Sequence, residues 1–573
     1  LIRAALETLE DRTVPSAAVE SLDGTGNNLT HSTWGASGTD LLRLAAAQYG
    51  DGVSTPGGAA RPDARTVSNA VADQPADTAT NDRMMSAFIY AWGQFIDHDI
   101  DLTTAANPAQ AFNIQVPTGD PQFDPFNTGT QIIPLNRSKT DAATGAGTGK
   151  AAQQVNDITA WVDGSMVYGS DATRAAALRT FSGGKLKTSD GNLLPFNTAG
   201  LANANDAHVV PDDQLFLAGD VRANENVELT SLQTLFMREH NRVADLIAKA
   251  NPRLTDEQIY QQARQIVIGE IQAITYNEFL PALLGPNAMS SYTGYKPWVN
   301  PGIANEFSTA AFRVGHTLVG DDVEFLDNNG NAIRPALDLA NAFFNPTVVE
   351  QTGIDPILKY LASDRAQEVD TQVVDGLRNF LFGPPGAGGM DLAALNVQRG
   401  RDHGLADYNT TRAAYGLPKV TSFAQITSDP ALQAKLQTLY GNVNNIDLWV
   451  GGLAEDHVHG ASVGPLFQRI IADQFTRLRD ADRFWYQREF SGAQLFAISH
   501  TTLADVIQRN SGVSNLQDNV FFFKTSISGT VFGDANGNGR RDFGEHGIGG
   551  QTVQLLDLSG VVVATTTTRA DGS

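Results

Sequence analysis

Phe88-Ile-Tyr-Ala-Trp-Gly-Gln-Phe-Ile-Asp-His-Asp-Ile-Asp-Leu-Thr103 is the stretch whose reading decides the fold. Met85, Phe88, Trp92, Phe95 and Ile96 recur at the three- and four-residue spacing of one helical face, a stripe apolar enough to bury a helix. Gln94 and His98 stand one turn apart and project together, with Asp97 beside them. An imidazole and several carboxylates therefore close a segment that belongs in a core, where ionisable groups without partners are costly. Three readings are open at this point. The polar end of the helix reaches water; or Asp97, His98, Asp99 and Asp101 hold a divalent metal; or His98 is a redox or acid–base group whose neighbours do separate jobs.

The 573 residues are enough for a large core and more than one domain. Hydrophobic content of 42% and charged content of 18% are those of a folded chain rather than a disordered one. A formal charge of −23 speaks against nucleic acid or anionic lipid as partner and supplies ligands for cations. The absence of cysteine excludes disulfides, thiolate metal ligation and cysteine nucleophiles. No run of about eighteen apolar residues predicts a membrane span. Beginning at Leu1 and stopping at Asp571-Gly-Ser573, the sequence reads as a fragment of a longer chain.

Residues 50–80, rich in Gly, Pro, Ala and Asp, and residues 104–150, rich in Gly, Pro, Asn and Thr, predict loop on either side of the central helix, with its cap near Asn81. In Thr159-Ala-Trp-Val-Asp-Gly-Ser165 the oxygen-bearing side chains of Thr159, Asp163 and Ser165 fall at even spacing, on one side of an extended loop. Such a set suits a hard cation such as calcium, and a plain polar turn is the alternative. Arg222 and Glu225 precede a helix predicted through Ala250 on the period of Leu229, Leu232, Phe236, Val243 and Leu246. An arginine at that positive end needs an anion or a polarised oxygen. Thr255 and Gln258 form a capping box for the next helix.

His316, within the apolar run Ala311–Val319, reads by itself more readily as a satisfied core residue than as a ligand. Asn396, Arg399, Arg401, Asp402 and His403 follow Leu392-Ala-Ala-Leu395 closely enough to predict a buried polar network. Residues 446–486 read as packing and scaffold. After Lys524 the texture changes, and residues 527–532 and 551–568 predict β-strands. Between them, Asp534 to Glu545 fits a twelve-residue calcium loop. Asp534, Asn536, Asn538, the Arg540 carbonyl, Asp542 and Glu545 stand at its ligand positions, with Gly539 at the sixth.

In their order, Trp-Gly-Gln-Phe-Ile-Asp-His-Asp, Thr-Ala-Trp-Val-Asp-Gly-Ser, the Arg222–Leu229 segment, Phe-Arg-Val-Gly-His-Thr and Gln-Arg-Gly-Arg-Asp-His-Gly resemble the haem peroxidases of the animal peroxidase–cyclooxygenase superfamily, on the peroxidasin and myeloperoxidase side. The resemblance covers roughly residues 30 to 520. It implies a mainly α, helical peroxidase fold with long loops over residues 31–525, after an approach segment at 1–30. His316 would be the proximal ligand of a haem b iron, with Asn396 on its other ring nitrogen. His98 would be the distal base that takes a proton from hydrogen peroxide and returns it to the leaving oxygen, and Arg222 would stabilise the charge that develops. Gln94 would hold pocket water or a halide. The product would be a ferryl haem that oxidises halides, thiocyanate or small aromatic donors.

Asp97 and Glu225 match the carboxylates that form ester bonds to haem in this family. Asn226 stands where myeloperoxidase has a methionine, so a third, sulfonium link is not expected, nor is chloride oxidation. Arg313 and Arg399 would pair with the haem propionates. Asp99, Thr159, the Trp161 carbonyl, Asp163 and Ser165 match the family's calcium site, which would tie the neighbour of the distal base to a distant loop.

The tail, residues 526–573, resembles the calcium-binding B-type β-sandwich modules of bacterial surface adhesins. With Leu9-Glu-Asp-Arg12, which is similar to an N-terminal motif of some bacterial surface proteins, it implies an exported bacterial protein, extracellular or at the cell surface or matrix. Two other functions stay open. A fatty-acid dioxygenase of the same superfamily needs a tyrosine three residues before the proximal histidine, where Arg313 stands. A non-catalytic, calcium-dependent surface-binding protein would have no need of both His98 and Arg222.

Overall fold

The apolar period around Trp92 becomes helix α1, Phe88–Ile100, in the larger of two units into which the chain divides, residues 1–523 and 524–573. A computed structural model describes residues 19–74, 81–523, 530–535, 537, 541, 544–556, 561–570 and 572. Met85, Phe88, Trp92, Phe95 and Ile96 are all fully buried, as the stripe requires. Phe236 meets Trp92 and Phe95 at ring-centroid distances of 5.6 and 5.1 Å, so α1 packs on helix α2, Val227–Ala250. That aromatic contact adds to the burial of large apolar area.

Asn81 does not cap α1. Its Oδ1 accepts the Met85 N–H at 2.7 Å and its Nδ2 donates to the Met85 and Ala366 carbonyls, closing a turn ahead of the helix. The first helical N–H, that of Phe88, finds Ser86 Oγ at 3.3 Å instead. α2 starts as its sequence demands, with the Asn226 side chain accepting from Leu229 N–H at 2.7 Å. Helix α3, Asp256–Ile274, carries the Thr255–Gln258 capping box and packs against α2.

Two further elements position the site. Helix α4, Gly315–Leu318, is a single turn packed against α1. Helix α5, Leu392–Asp402, is capped by Asp391, whose Oδ1 accepts from Ala394 N–H while Oδ2 takes the fully buried Arg65 guanidinium at 2.7 Å. Strands in the described part of the larger unit are two-residue pairs only, such as Thr39–Asp40 with Val155–Asn156, so the unit is mainly α.

The loop expected over residues 50–80 contains a helical stretch, Ala64–Ala72. The Asp63 carboxylate accepts from Thr66 N–H at 2.8 Å, and Val67 and Val71 join the core, which outweighs the loop-rich composition around them. The part of the approach segment from residue 19 on is likewise built into the body. Asn27 is buried and its Nδ2 bridges Glu20 Oε1 and Asp482 Oδ1, at 3.1 and 2.8 Å. Leu9–Arg12 lies outside the described residues.

In the smaller unit the strand expected at 551–568 is a hairpin of β1, Thr552–Leu556, and β2, Val562–Thr567, antiparallel, with a register shift between Leu555 and Leu556. Of the strand expected at 527–532, residues 530–532 are described, and Phe532 bridges Gly547. Asn536, Asn538, Arg540 and Asp542 of the expected calcium loop lie outside the described residues. At its ends, the Ala535 N–H donates to Glu545 Oε1 at 2.9 Å, so the twelfth position folds back beside the second.

Candidate functional site

Residues far apart in the chain line one cavity of ≈ 420 Å³: Gln94, Asp97 and His98 of α1, Arg222 and Glu225 from the approach to α2, and His316 of α4. Arg313 and Arg399 line it too. The first reading of the α1 end, a simple exit to water, is set aside by this convergence.

His98 is buried, and among the described residues its Nδ1 has no hydrogen-bond partner. Asp220 Oδ1 lies 3.7 Å from Nδ1 and Glu225 Oε2 lies 3.6 Å from Nε2, both too far for hydrogen bonds. Burial, then the Arg222 charge, pushes the imidazole down to about 3 against the pull of Asp220. His98 is therefore neutral near pH 7, with a lone pair free to accept a proton.

Arg222 is held in a bidentate grip by Asp220, Nε to Oδ1 at 2.8 Å and Nη2 to Oδ2 at 3.0 Å. Nη2 also donates to the Asp101 carbonyl at 2.8 Å, and Nη1 lies 3.7 Å from Asp97 Oδ2. This resolves the misplaced charge at the mouth of α2. Asp220 was not singled out by sequence reasoning; its signal is the Asp-Val-Arg spacing, which lets residue 220 fold back on residue 222.

Gln94 bridges two chain segments. Its Nε2 donates to Glu225 Oε2 at 2.8 Å, and its Oε1 accepts from Asn226 Nδ2 at 2.8 Å. Burial, helped by Asp101, pushes the Asp97 carboxyl up, and burial pushes Glu225 up to about 7 against Arg222. Both wall carboxyls thus hold a proton more readily than free carboxyls do.

On the α4 side, Asn396 Nδ2 meets His316 Nδ1 at 2.8 Å, and Asn396 Oδ1 accepts from Arg313 Nη1 at 2.9 Å. An amide N–H donating to Nδ1 leaves the ring proton on Nε2, so Nε2 is open to a ligand only when the Asn396 amide turns and its Oδ1, released by Arg313, accepts from Nδ1–H. Burial, then the Arg313 charge, pushes His316 down to about 3, so it too is neutral near pH 7. Arg399 donates to Ser138 Oγ and Asp402 Oδ2, each at 2.9 Å. Burial and then the Arg399 charge depress Arg313, so two guanidiniums that repel each other share one wall.

Of the network expected at the end of α5, Asn396, Arg401, Asp402 and His403 are buried, while Arg399 is half-buried. His403 is fully engaged, with Nδ1 2.9 Å from Asn305 Oδ1 and Nε2 2.7 Å from Ser138 Oγ.

Asp99 meets the 159–165 loop. Ser165 Oγ donates to its carbonyl at 2.8 Å and Gly164 N–H to its Oδ2 at 3.2 Å, while Thr159 Oγ1 donates to Asp163 Oδ2 at 2.9 Å. Trp161 is buried and anchors the loop through Nε1 to the Gly24 carbonyl at 3.2 Å. Burial, then Asp163, pushes Asp99 well up, and burial pushes Asp163 up to about 6. Two buried carboxylates beside two hydroxyls, with Arg264 acting on Asp163 and not cancelling the effect of burial, fit a hard divalent ion. Among the described residues no three of His, Cys, Asp and Glu converge as a metal cluster, so the metal reading of Asp97, His98, Asp99 and Asp101 is not supported.

A helical body with such a cavity is that of a haem peroxidase, and the chain belongs to the animal haem peroxidase family, whose model matches residues 19–521. It is 38% identical over 517 residues to peroxinectin A of Dictyostelium discoideum, across 88% of this chain and 96% of that one. It is 37% identical to human myeloperoxidase over 559 residues, 88% of this chain and 74% of that one. The solved structure of peroxidase A from Dictyostelium discoideum matches with a TM-score of 0.83 at 36% identity, over 88% of this chain and all of that one. Residues 525–573 match the SdrD B-like domain. The protein is a haem peroxidase; among the described residues no helix is long and apolar enough to cross a membrane.

Because burial holds both cavity imidazoles neutral, histidine-labelled, haem-free protein should show two ring signals, assigned by their loss in His98→Ala and His316→Ala, that stay unprotonated from neutral pH to below about 4. Titration of either ring near the ordinary 6.5 would contradict this electrostatic account.

Proposed function

We propose that the cavity holds haem b, with His316 Nε2 as the iron ligand, and that His98 and Arg222 act on hydrogen peroxide there. One observation carries the reading. Two neutral imidazoles open onto one cavity, one braced at Nδ1 by Asn396 and the other beside a guanidinium that Asp220 locks in place. The bound haem supplies the oxidising chemistry; the chain supplies everything around it.

Neutral His98 accepts a proton from peroxide and returns it to the departing oxygen, a role that calls for a low-lying pKa and no competing hydrogen bond. Arg222, fixed before reaction begins, places positive charge where negative charge develops. Asn396 fixes the ring orientation of His316. Arg313 and Arg399 would hold the propionates, for which Arg313 would have to release Asn396 Oδ1. Gln94, bonded to Glu225 and Asn226, presents its amide to pocket water or a halide. Thiocyanate, bromide, iodide or phenols are the donors this site favours, and no tyrosine stands at Arg313 to support lipid dioxygenation.

Asp97 and Glu225 form the esters to haem, which would remove two carboxyls that burial already holds toward neutrality. Asp99, Thr159, the Trp161 carbonyl, Asp163 and Ser165 hold calcium, pinning the residue next to His98. A second calcium would be held by the sequence from Asp534 to Glu545, and the SdrD B-like match of residues 525–573 supports a setting outside the cell, at a surface or matrix.

In haem-loaded protein, His98→Ala should keep the Soret band and lose on the order of 10²- to 10⁴-fold in the rate of reaction with peroxide. His316→Ala should lose or alter haem ligation, and wild-type behaviour in either variant would refute its role. One preparation checks the remaining assignments. Acid butanone should leave haem on the wild-type chain and strip it from Asp97→Val/Glu225→Val, and metal analysis of Asp163→Ala should show one calcium fewer per chain; haem freely extracted from wild type, or unchanged calcium, would contradict them.

A further inference from the structure

Tyr90 lies two turns before His98 on α1 and is the one tyrosine lining the cavity. Its phenol oxygen is 3.3 Å from Tyr360 Oη and 3.5 Å from Glu228 Oε1. Tyr360 already spends its proton on the Asp322 carbonyl at 2.9 Å, so the Tyr90 proton is directed at either Tyr360 or Glu228. Glu228, in the first turn of α2, also lines the cavity and is 2% exposed. Its second oxygen, Oε2, has no hydrogen-bond partner among the described residues. An unsatisfied carboxylate oxygen in a core is costly and calls for a reason. The steps assigned to His98 and Arg222 use none of these three side chains.

We propose that Tyr90 is a redox-active tyrosine that reduces the peroxide-oxidised haem from within the protein, with Glu228 as its proton acceptor. The inference rests on the cavity being the haem site. One electron leaves the phenol for the oxidised haem, whose oxidising equivalent comes from hydrogen peroxide. The phenolic O–H bond breaks, its proton moves to a Glu228 carboxylate oxygen, and the products are a neutral phenoxyl radical and a carboxylic acid. Without the base, the same electron loss would leave an uncompensated phenol cation in a dry wall, which low dielectric disfavours. Burial brings Glu228 up to about 7, so it is partly ionised near neutral pH and takes up a proton readily there. Tyr360 stands in reach to donate to the oxygen once its proton has gone. An oxidising equivalent is thereby held on the chain when no external donor occupies the cavity.

The test uses haem-loaded full chain carrying ring-deuterated tyrosine, mixed with peroxide in the absence of donor and frozen for electron paramagnetic resonance. A parallel sample is quenched with a small nitroso spin trap and mapped by peptide mass spectrometry. The wild type should give a tyrosyl signal narrowed by the label and a trap adduct on the peptide containing Tyr90. Tyr90→Phe should abolish both, Glu228→Gln should reduce both several-fold at unchanged haem content, and Tyr360→Phe should keep the adduct on Tyr90. The proposal is overturned if wild type changes its Soret band with peroxide yet carries no adduct at Tyr90, or if Glu228→Gln matches wild type. Because the wild-type map decides the matter alone, a variant that fails to fold does not rescue it. A wild type whose Soret band ignores peroxide defeats the haem reading itself, and this inference with it.

Discussion

A positive charge and a neutral imidazole share the end of α1 because Asp220 grips Arg222. Left alone, a buried guanidinium would carry an uncompensated charge into a low-dielectric wall. Bound at two points by Asp220 and at a third by the Asp101 carbonyl, it is both satisfied and immobile. The same charge helps depress His98, so the pair produces the protonation state that a base needs. The protonation state of His98 is a consequence of how a burial problem is solved.

α1 works on three sides at once. Its apolar stripe, with Trp92 and Phe95 against Phe236, fixes the helix in the core. Gln94, Asp97 and His98 face the cavity, while Asp99 engages Gly164 and Ser165 of a loop distant in sequence. His98 is thus bracketed by a wall carboxyl and a buried anchor. On the far side of the sequence, α5 is held through Asp391 by buried Arg65, and it presents Asn396 to His316. Each imidazole owes its setting to polar contacts that themselves lie inside the fold.

The helices that build the site were legible because their signals are periodic or local: the stripe of α1, the Leu229–Phe236 period of α2, the Thr255–Gln258 box. Asn81 misled because its side chain has the right chemistry for a cap but satisfies the turn that precedes the helix. The helical stretch at 64–72 hid in loop-like composition, since Asp63 and two valines suffice to form it. Convergence of residues 98, 222 and 316 on one cavity has no signature in spacing and was reached only through family resemblance. Asp220 escaped notice because a bidentate lock depends on backbone folding rather than on residue type. Arg313 bonded to Asn396, rather than standing free for a propionate, is a contact between residues 83 positions apart that no local pattern announces.

Everything returns to whether one iron porphyrin sits between the two imidazole-bearing walls. Titration of the haem-free full chain with haemin, followed by a single equivalent of hydrogen peroxide, asks this in one cuvette. Saturation at one haem per chain, with a Soret band that moves on peroxide addition, is the expected record. Uptake without a fixed stoichiometry, or a band indifferent to peroxide, would contradict the assignment.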